Sequence, residues 1–417
     1  MSYNSKFLTN FLLPLFSAIL PLSIFFGTNL IKFLYIFLII VFIFIKNQDK
    51  KIFIQKTLTF NYNNISVELL KAFILINALS IIINHEGLEY ILKSSFYLAY
   101  FLSFFLLAEI LPTWSKEKTN LLVFDFFTCF SIVASLALAY YQVYVLGFYR
   151  ALGGTHIMNF GYTMGLMFVL ILGTILHTKL SKNKLNILIA ILICCLACIV
   201  LSGTRGSMLG VIVGTFLSFF YTKFRKASAL FILTSLALYS SLILSSWGYT
   251  GSKVSFAQRL MLKPMNESDI IRIDLLKSGL LMIKEKPLLG HGHQGYAKNL
   301  LRIKEENGIP LAYGNDPINQ LPKEERYFNN THSHNIFLET FVSSGLLGFS
   351  AFCGWIILWI KELLIGPVAI KKVILPFIIC FVIQSQFEFT LSPHYATIII
   401  FIFALSVNKN ENNQHAL

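Results

Sequence analysis

Apolar residues run along this chain in blocks, and short polar or basic intervals separate one block from the next. The blocks cover residues 7–26, 29–45, 67–83, 91–111, 121–146, 160–176, 185–201, 207–221, 228–246, 335–360, 371–387 and 394–407. Each approaches the ~20 residues that carry a helix across a bilayer, and none shows the period-two alternation of a membrane barrel strand. The pattern predicts an all-α integral membrane protein with about twelve transmembrane helices. The first block has Lys6 as a basic flank but no small-residue cleavage site after it, and a second block follows at once, so it reads as a retained span.

The long polar interval from Trp247 to Asn330 divides the chain. Three regions result: an N-terminal bundle of about nine helices (1–246), a large loop with a catalytic segment (247–334), and about three C-terminal helices (335–417). Basic residues fix the expected orientation. Lys46, Lys50, Lys51 and Lys56 follow the second block, Lys116 and Lys118 the fourth, Lys179, Lys182 and Lys184 the sixth, and Lys223, Arg225 and Lys226 the eighth. Lys361, Lys371 and Lys372 lie between the tenth and eleventh. These intervals are assigned to the cytoplasm, together with both termini, and the long loop to the outer face.

Composition agrees with this class. Hydrophobic residues make up 56% and charged residues 13%, about half the charge content of a soluble domain. Mean hydropathy is +0.68. The net charge of +14 follows from the basic cytoplasmic intervals and calls for no nucleic acid. All six cysteines fall inside apolar blocks, Cys195-x-x-Cys198 included, which indicates packing rather than disulfides or redox chemistry. No P-loop, H-E-x-x-H or G-x-S-x-G motif occurs, and GHGHQG (290–295) lacks the preceding strand that a dinucleotide turn requires.

Basic residues on the outer side are the exceptions to the topology pattern, and therefore candidates for chemistry. Arg205 sits in VLSGTRGSMLG, a tight turn between two spans, flanked by Gly203 and Gly206. A guanidinium there seeks either an anion or headgroups to which it snorkels. Arg272 lies in ESDIIRIDLLKSGLLMIKEKPLLG, read as an amphipathic helix on the outer membrane surface, capped by Ser268 or Asp269 and stopped by Pro287. Its alternatives are a lipid-linked anion or an ion pair with Asp269 or Asp274. Lys93 enters the fourth span from outside, and Arg150 lies in FYRALGG on the same side.

His332 and His334 precede the apolar run that begins at residue 335. In an extended segment residues two apart share a side, so both imidazoles are expected to face one cavity. Ser333 or Asn335 is the expected cap of the following helix, whose N-terminal dipole favours a neutral imidazole, competent as a base, and an adjacent phosphate. Open alternatives are a metal site shared with His291 and His293, a proton relay of a transporter, and plain capping polarity.

Taken in order, LSGTRGSMLG, DIIRIDLLKSGLLMIKEKPLLGHG and THSHNIFLETFVSSGLLG resemble the O-antigen ligase family of bacterial envelope glycosyltransferases, with O-antigen polymerases carrying related elements. The resemblance implies a C-type glycosyltransferase-like fold in the bacterial inner membrane. It also implies transfer of a glycan from undecaprenyl diphosphate to lipid A–core on the periplasmic face, inverting, with no metal and no cofactor. On this likeness Arg205 and Arg272 bind the diphosphate, His334 is the catalytic base with His332 its neighbour, and Lys93 and Arg150 contact glycan or lipid phosphate. Tyr249, Tyr296, Tyr313 and Tyr327 are the loop aromatics expected to stack on sugars or anchor at the interface.

Overall fold

The computed structural model describes residues 12–26, 30, 33–38, 40, 64–84, 88–114, 118–148, 150–154, 157–220, 267–310, 332–388 and 393–413. Among these residues all regular structure is helical. The helices are α1 (Leu13–Phe26), α2 (Ile65–Ile83), α3 (Leu88–Trp114), α4 (Lys118–Tyr140, extended by a π-turn over Tyr141–Val145), α5 (Ile157–His177), α6 (Lys182–Ser202), α7 (Arg205–Phe220), α8 (Glu267–Glu285), α9 (Gly295–Glu306), α10 (Ile336–Ile365), α11 (Val368–Gln384) and α12 (Pro393–Asn413).

Ten of the twelve expected spans coincide with described helices. The ranges 29–45, apart from short helical pieces, and 228–246 lie outside the described residues, as does most of the loop between Trp247 and Glu267. Among the described residues five helices are long and apolar enough to cross a bilayer: Ile65–Ile83, Lys118–Val145, Asn159–His177, Lys182–Ser202 and Ile336–Ile365. Their outward faces carry Leu75, Ile82, Leu122, Phe126, Ile193 and Ile357, all exposed. A helix with apolar residues both inside and outside belongs in lipid.

Packing joins chain neighbours, as α5 on α6, and also distant helices, with α2 on α10, α7 on α11 and α5, and α3 on α12. A buried aromatic cluster holds the middle, where Trp355 and Trp359 stack with ring centroids 6.0 Å apart and Phe403 lies against both. Indole N–H groups buried here need acceptors. Trp359 donates to Ser406 Oγ at 2.9 Å and Trp114 to Ser17 Oγ at 2.7 Å.

The bundle has two chemically distinct ends. Lys184 pairs with Asp125 at 2.7 Å at one end, where Lys182 opens α6 and Lys371 donates to Leu364 O across the α10–α11 turn. Antiparallel connections carry Arg150, Arg205 and His334 to the other end. This is the end-to-end separation that the basic-interval pattern anticipates.

The run 335–360, expected as one continuous span, is broken. Gly345 has φ 64° and ψ −168°, dividing α10 into two pieces. The strap after α8 closes the break: Leu346 N donates to Pro287 O at 2.7 Å and Leu347 N to Leu288 O, while His291 N and Gly292 N donate to Val342 O and Ser343 O. From α2, Ser80 Oγ donates to Leu289 O or Ser343 O, and Asn84 Nδ2 to Gly290 O. Backbone groups exposed by the break are thus satisfied inside the protein, as lipid requires. A Cβ at Gly345 would overlap the Leu288 carbonyl, and its backbone region is open essentially to glycine alone. Gly345→Ala is expected to destabilise the protein by at least about 1–3 kcal/mol, read as a lower melting temperature in detergent; an unchanged melt would contradict this role.

Candidate functional site

The site begins with the cap of α10. Asn335, not Ser333, is the N-cap: its Oδ1 accepts from Phe337 N at 2.9 Å and Leu338 N at 3.0 Å. Its Nδ2 reaches Gln386 O, and Ile336 N donates to Ser385 O at 2.9 Å, so the start of α10 is fastened to the end of α11. Buried Glu339 reaches back to accept from Ser333 N at 2.8 Å, folding the histidine segment over the helix end. That segment is not extended, as the sequence suggested. His334 has φ 53°, and this left-handed turn brings the two imidazoles together, with ring centroids 4.4 Å apart.

Both rings converge on a carboxylate. Glu388 is only 4% exposed; His334 Nδ1 lies 3.0 Å from its Oε2, and His332 Nε2 lies 3.3 Å from its Oε1. His332 Nδ1 also accepts from His334 N at 3.3 Å. A carboxylate only accepts, which assigns the protons within the network. His332 carries its proton on Nε2, since its Nδ1 is an acceptor, whereas His334 donates through Nδ1, so that its neutral form has the lone pair on Nε2, the nitrogen turned away from Glu388. A proton acceptor at the helix mouth results.

The arginines approach through small residues. Gly203, left-handed at φ 59°, caps α6, and its N–H is used by Ile199 O and Val200 O. It therefore offers no open amide beside Arg205; the N-terminal turn of α7, which Arg205 opens, is what remains. Arg205 itself is exposed. At Gly206 a Cβ would meet the Tyr162 hydroxyl and Phe387, so the absence of a side chain lets α7 close on α5 and on the segment leading to Glu388. Buried Tyr162 lies within electrostatic range of Glu388, Arg272 and Arg150 together. Arg150 Nε donates to Ser202 O at 2.6 Å, holding it over the last turn of α6, two residues before Thr204 and the start of α7. Arg150, Arg272 and Glu388, from distant stretches, thus all bear electrostatically on the Tyr162 phenol.

Arg272 is carried by α8, which differs from its expected form. Ser268 and Asp269 lie inside the helix rather than capping it. Leu275 and Met282 pack with Tyr296, Leu300, Ile303, Leu338 and Val342, while Leu276 and Leu280 stay exposed. Asp274 pairs with Lys277 at 3.5 Å instead of with Arg272. Tyr296 is fully buried and donates to Leu275 O at 2.6 Å, so it holds α8 to α9 and does not stack on sugars. Tyr249, Tyr313 and Tyr327 lie outside the described residues. Lys93 falls in the second turn of α3 at the same end of the bundle, with its side chain outside the described part.

The four-histidine metal site does not form. His291 Nε2 is bonded to Met282 O at 2.9 Å, and burial pushes the His293 imidazole down to about 4. Among the described residues His332, His334 and Glu388 form the cluster whose ligating atoms, all within 4.8 Å, have the donor set for a cation. A separate cavity of about 400 Å³, lined by apolar and threonine residues such as Leu20, Phe124, Met167 and Phe401, has no ionisable group and lies toward the lysine-bearing end.

Residues 190–353 match the family model described as O-antigen ligase, a stretch containing Arg205, Arg272, His332 and His334. An uncharacterised protein of Haemophilus influenzae (strain ATCC 51907 / DSM 11121 / KW20 / Rd) is 28% identical over 285 residues, 66% of this chain and 66% of the relative. The aligned stretch thus spans slightly less than two thirds of that relative's length.

Proposed function

We propose, from the premise that residues 190–353 belong with the O-antigen ligases, that this multi-pass membrane protein is an inverting glycosyltransferase. Its donor is a glycan on undecaprenyl diphosphate and its acceptor a sugar hydroxyl of lipid A–core. His334 Nε2 takes the proton from that hydroxyl, its oxygen attacks the anomeric carbon from the face opposite the diphosphate, and the carbon–oxygen bond to phosphate breaks. Negative charge grows on the departing diphosphate, where Arg205 and Arg272 stabilise it. The lipid-linked sugar phosphate bond supplies the driving force, so no cofactor enters the scheme. Lys93 and Arg150 are assigned to glycan or lipid-phosphate contacts.

The observation that supports this reading most is the His334 ring, bonded to buried Glu388 through Nδ1, with Arg150 and Arg272, from two separate segments, in electrostatic range of the same Tyr162 phenol as Glu388. An oriented base next to concentrated positive charge suits attack on a sugar diphosphate. The lysines at the far end of the bundle support a periplasmic site.

Purified protein in detergent, given a defined lipid-linked donor and lipid A–core, is expected to form the glycosylated core with no ion gradient. Elongated glycan on the lipid carrier, with bare core, would instead identify a polymerase. Absence of both products from folded protein would sink the glycosyltransferase reading.

A further inference from the structure

Glu388 comes directly after the apolar run of α11, in QSQFEF, and is buried with only 4% of its surface exposed. A carboxylate so placed needs partners, since an unpaired buried charge costs several kcal/mol or more. Two of them are imidazoles from a segment 54 residues earlier. The residues before it are tied on both sides: Ser385 O and Gln386 O accept from the start of α10, and Phe387 packs beneath Gly206 at the start of α7. Glu388 therefore stands at a fixed point between the histidine arm and the arginine arm.

We propose that Glu388 is the positioning residue for His334 in glycosyl transfer, holding its proton on Nδ1 and orienting Nε2 toward the acceptor hydroxyl, with His332 bracing the same carboxylate. This rests on the catalytic reading above. When Nε2 takes the acceptor proton, the carboxylate at 3.0 Å stabilises the imidazolium that forms, and the proton stays on His334. Both oxygens must accept. His332 has its Nδ1 committed to the His334 amide and can only donate through Nε2, while His334 donates through Nδ1. Glutamine offers one acceptor and one donor, so Glu388→Gln breaks one of the two bonds whichever way its amide turns. Aspartate keeps both acceptors, set back by one methylene.

Four measurements test this. With Glu388→Gln, kcat is expected to fall by about 10²–10⁴-fold while KM for the lipid-linked donor is unchanged, since the carboxylate acts on the base and not on the diphosphate. Glu388→Asp is expected to recover part of that loss. Because Glu388→Gln also risks misfolding, the second arm compares His334→Ala with the His334→Ala/Glu388→Gln pair; with no imidazole to position, the second substitution is expected to add nothing. A normal kcat for folded Glu388→Gln, or a further loss in the pair, overturns the proposal. So does activity removed by a chelator and restored by zinc, which would assign the cluster to a cation. Failure of the proposed function itself is distinguishable, because it appears as folded wild-type protein that forms no glycosylated product.

Discussion

His334→Ala is expected to lower transfer from the lipid-linked donor by about 10²–10⁴-fold, the range for removal of a general base, with membrane insertion and melting temperature preserved. The ring makes its side-chain bond to Glu388 at the mouth of α10, whereas the helix start is held independently by the Asn335 cap and by Ile336 N on Ser385 O. Loss of the imidazole therefore removes chemistry and leaves the anchor. Donor KM is expected to change little, because the arginine arm is untouched. Wild-type turnover by this variant would exclude His334 as the base. His332→Ala is the informative contrast: both its nitrogens are committed inside the network, so its loss loosens the carboxylate rather than removing the acceptor.

The second large effect is expected at Arg205. Arg205→Ala should cut kcat by about 10²–10³-fold, the range for removing one donor to a developing anion. Arg205→Lys should recover only part of it, because an ammonium keeps the charge but loses the two-pronged geometry suited to phosphate oxygens. The side chain is exposed at the first position of α7, and the packing of that turn runs through Gly206 against Tyr162 and Phe387. The fold is therefore expected to tolerate the change. Equal kcat for all three proteins would remove Arg205 from the diphosphate seat.

Much of this arrangement is written in local pattern. Long apolar runs mark the helices, and Arg205, Arg272, His332 and His334 stand out because each is a polar group on the side where basic residues are scarce. Other parts depend on contacts between distant segments. Glu388 looks like a single carboxylate at the end of an apolar run, and its role arises from two imidazoles 54 and 56 residues earlier. Tyr162 has the appearance of an ordinary residue within a span, yet Arg150, Arg272 and Glu388 from distant segments all act on it electrostatically. The left-handed turn at His334 carries no glycine or asparagine of its own to announce it. Similarly, the break at Gly345 hides in a run whose hydropathy is continuous, because the strap from Pro287 to Gly292 supplies the missing backbone partners from another part of the chain.

A density map of the protein in lipid nanodiscs with its undecaprenyl diphosphate-linked donor would bear most directly on the whole scheme. The diphosphate is expected between Arg205 and Arg272, with the anomeric carbon on the His334 Nε2 side and the head group at the end of the bundle opposite Lys184 and Lys371. A diphosphate seated at the lysine-bearing end, or a donor held beyond the reach of His334, would contradict it.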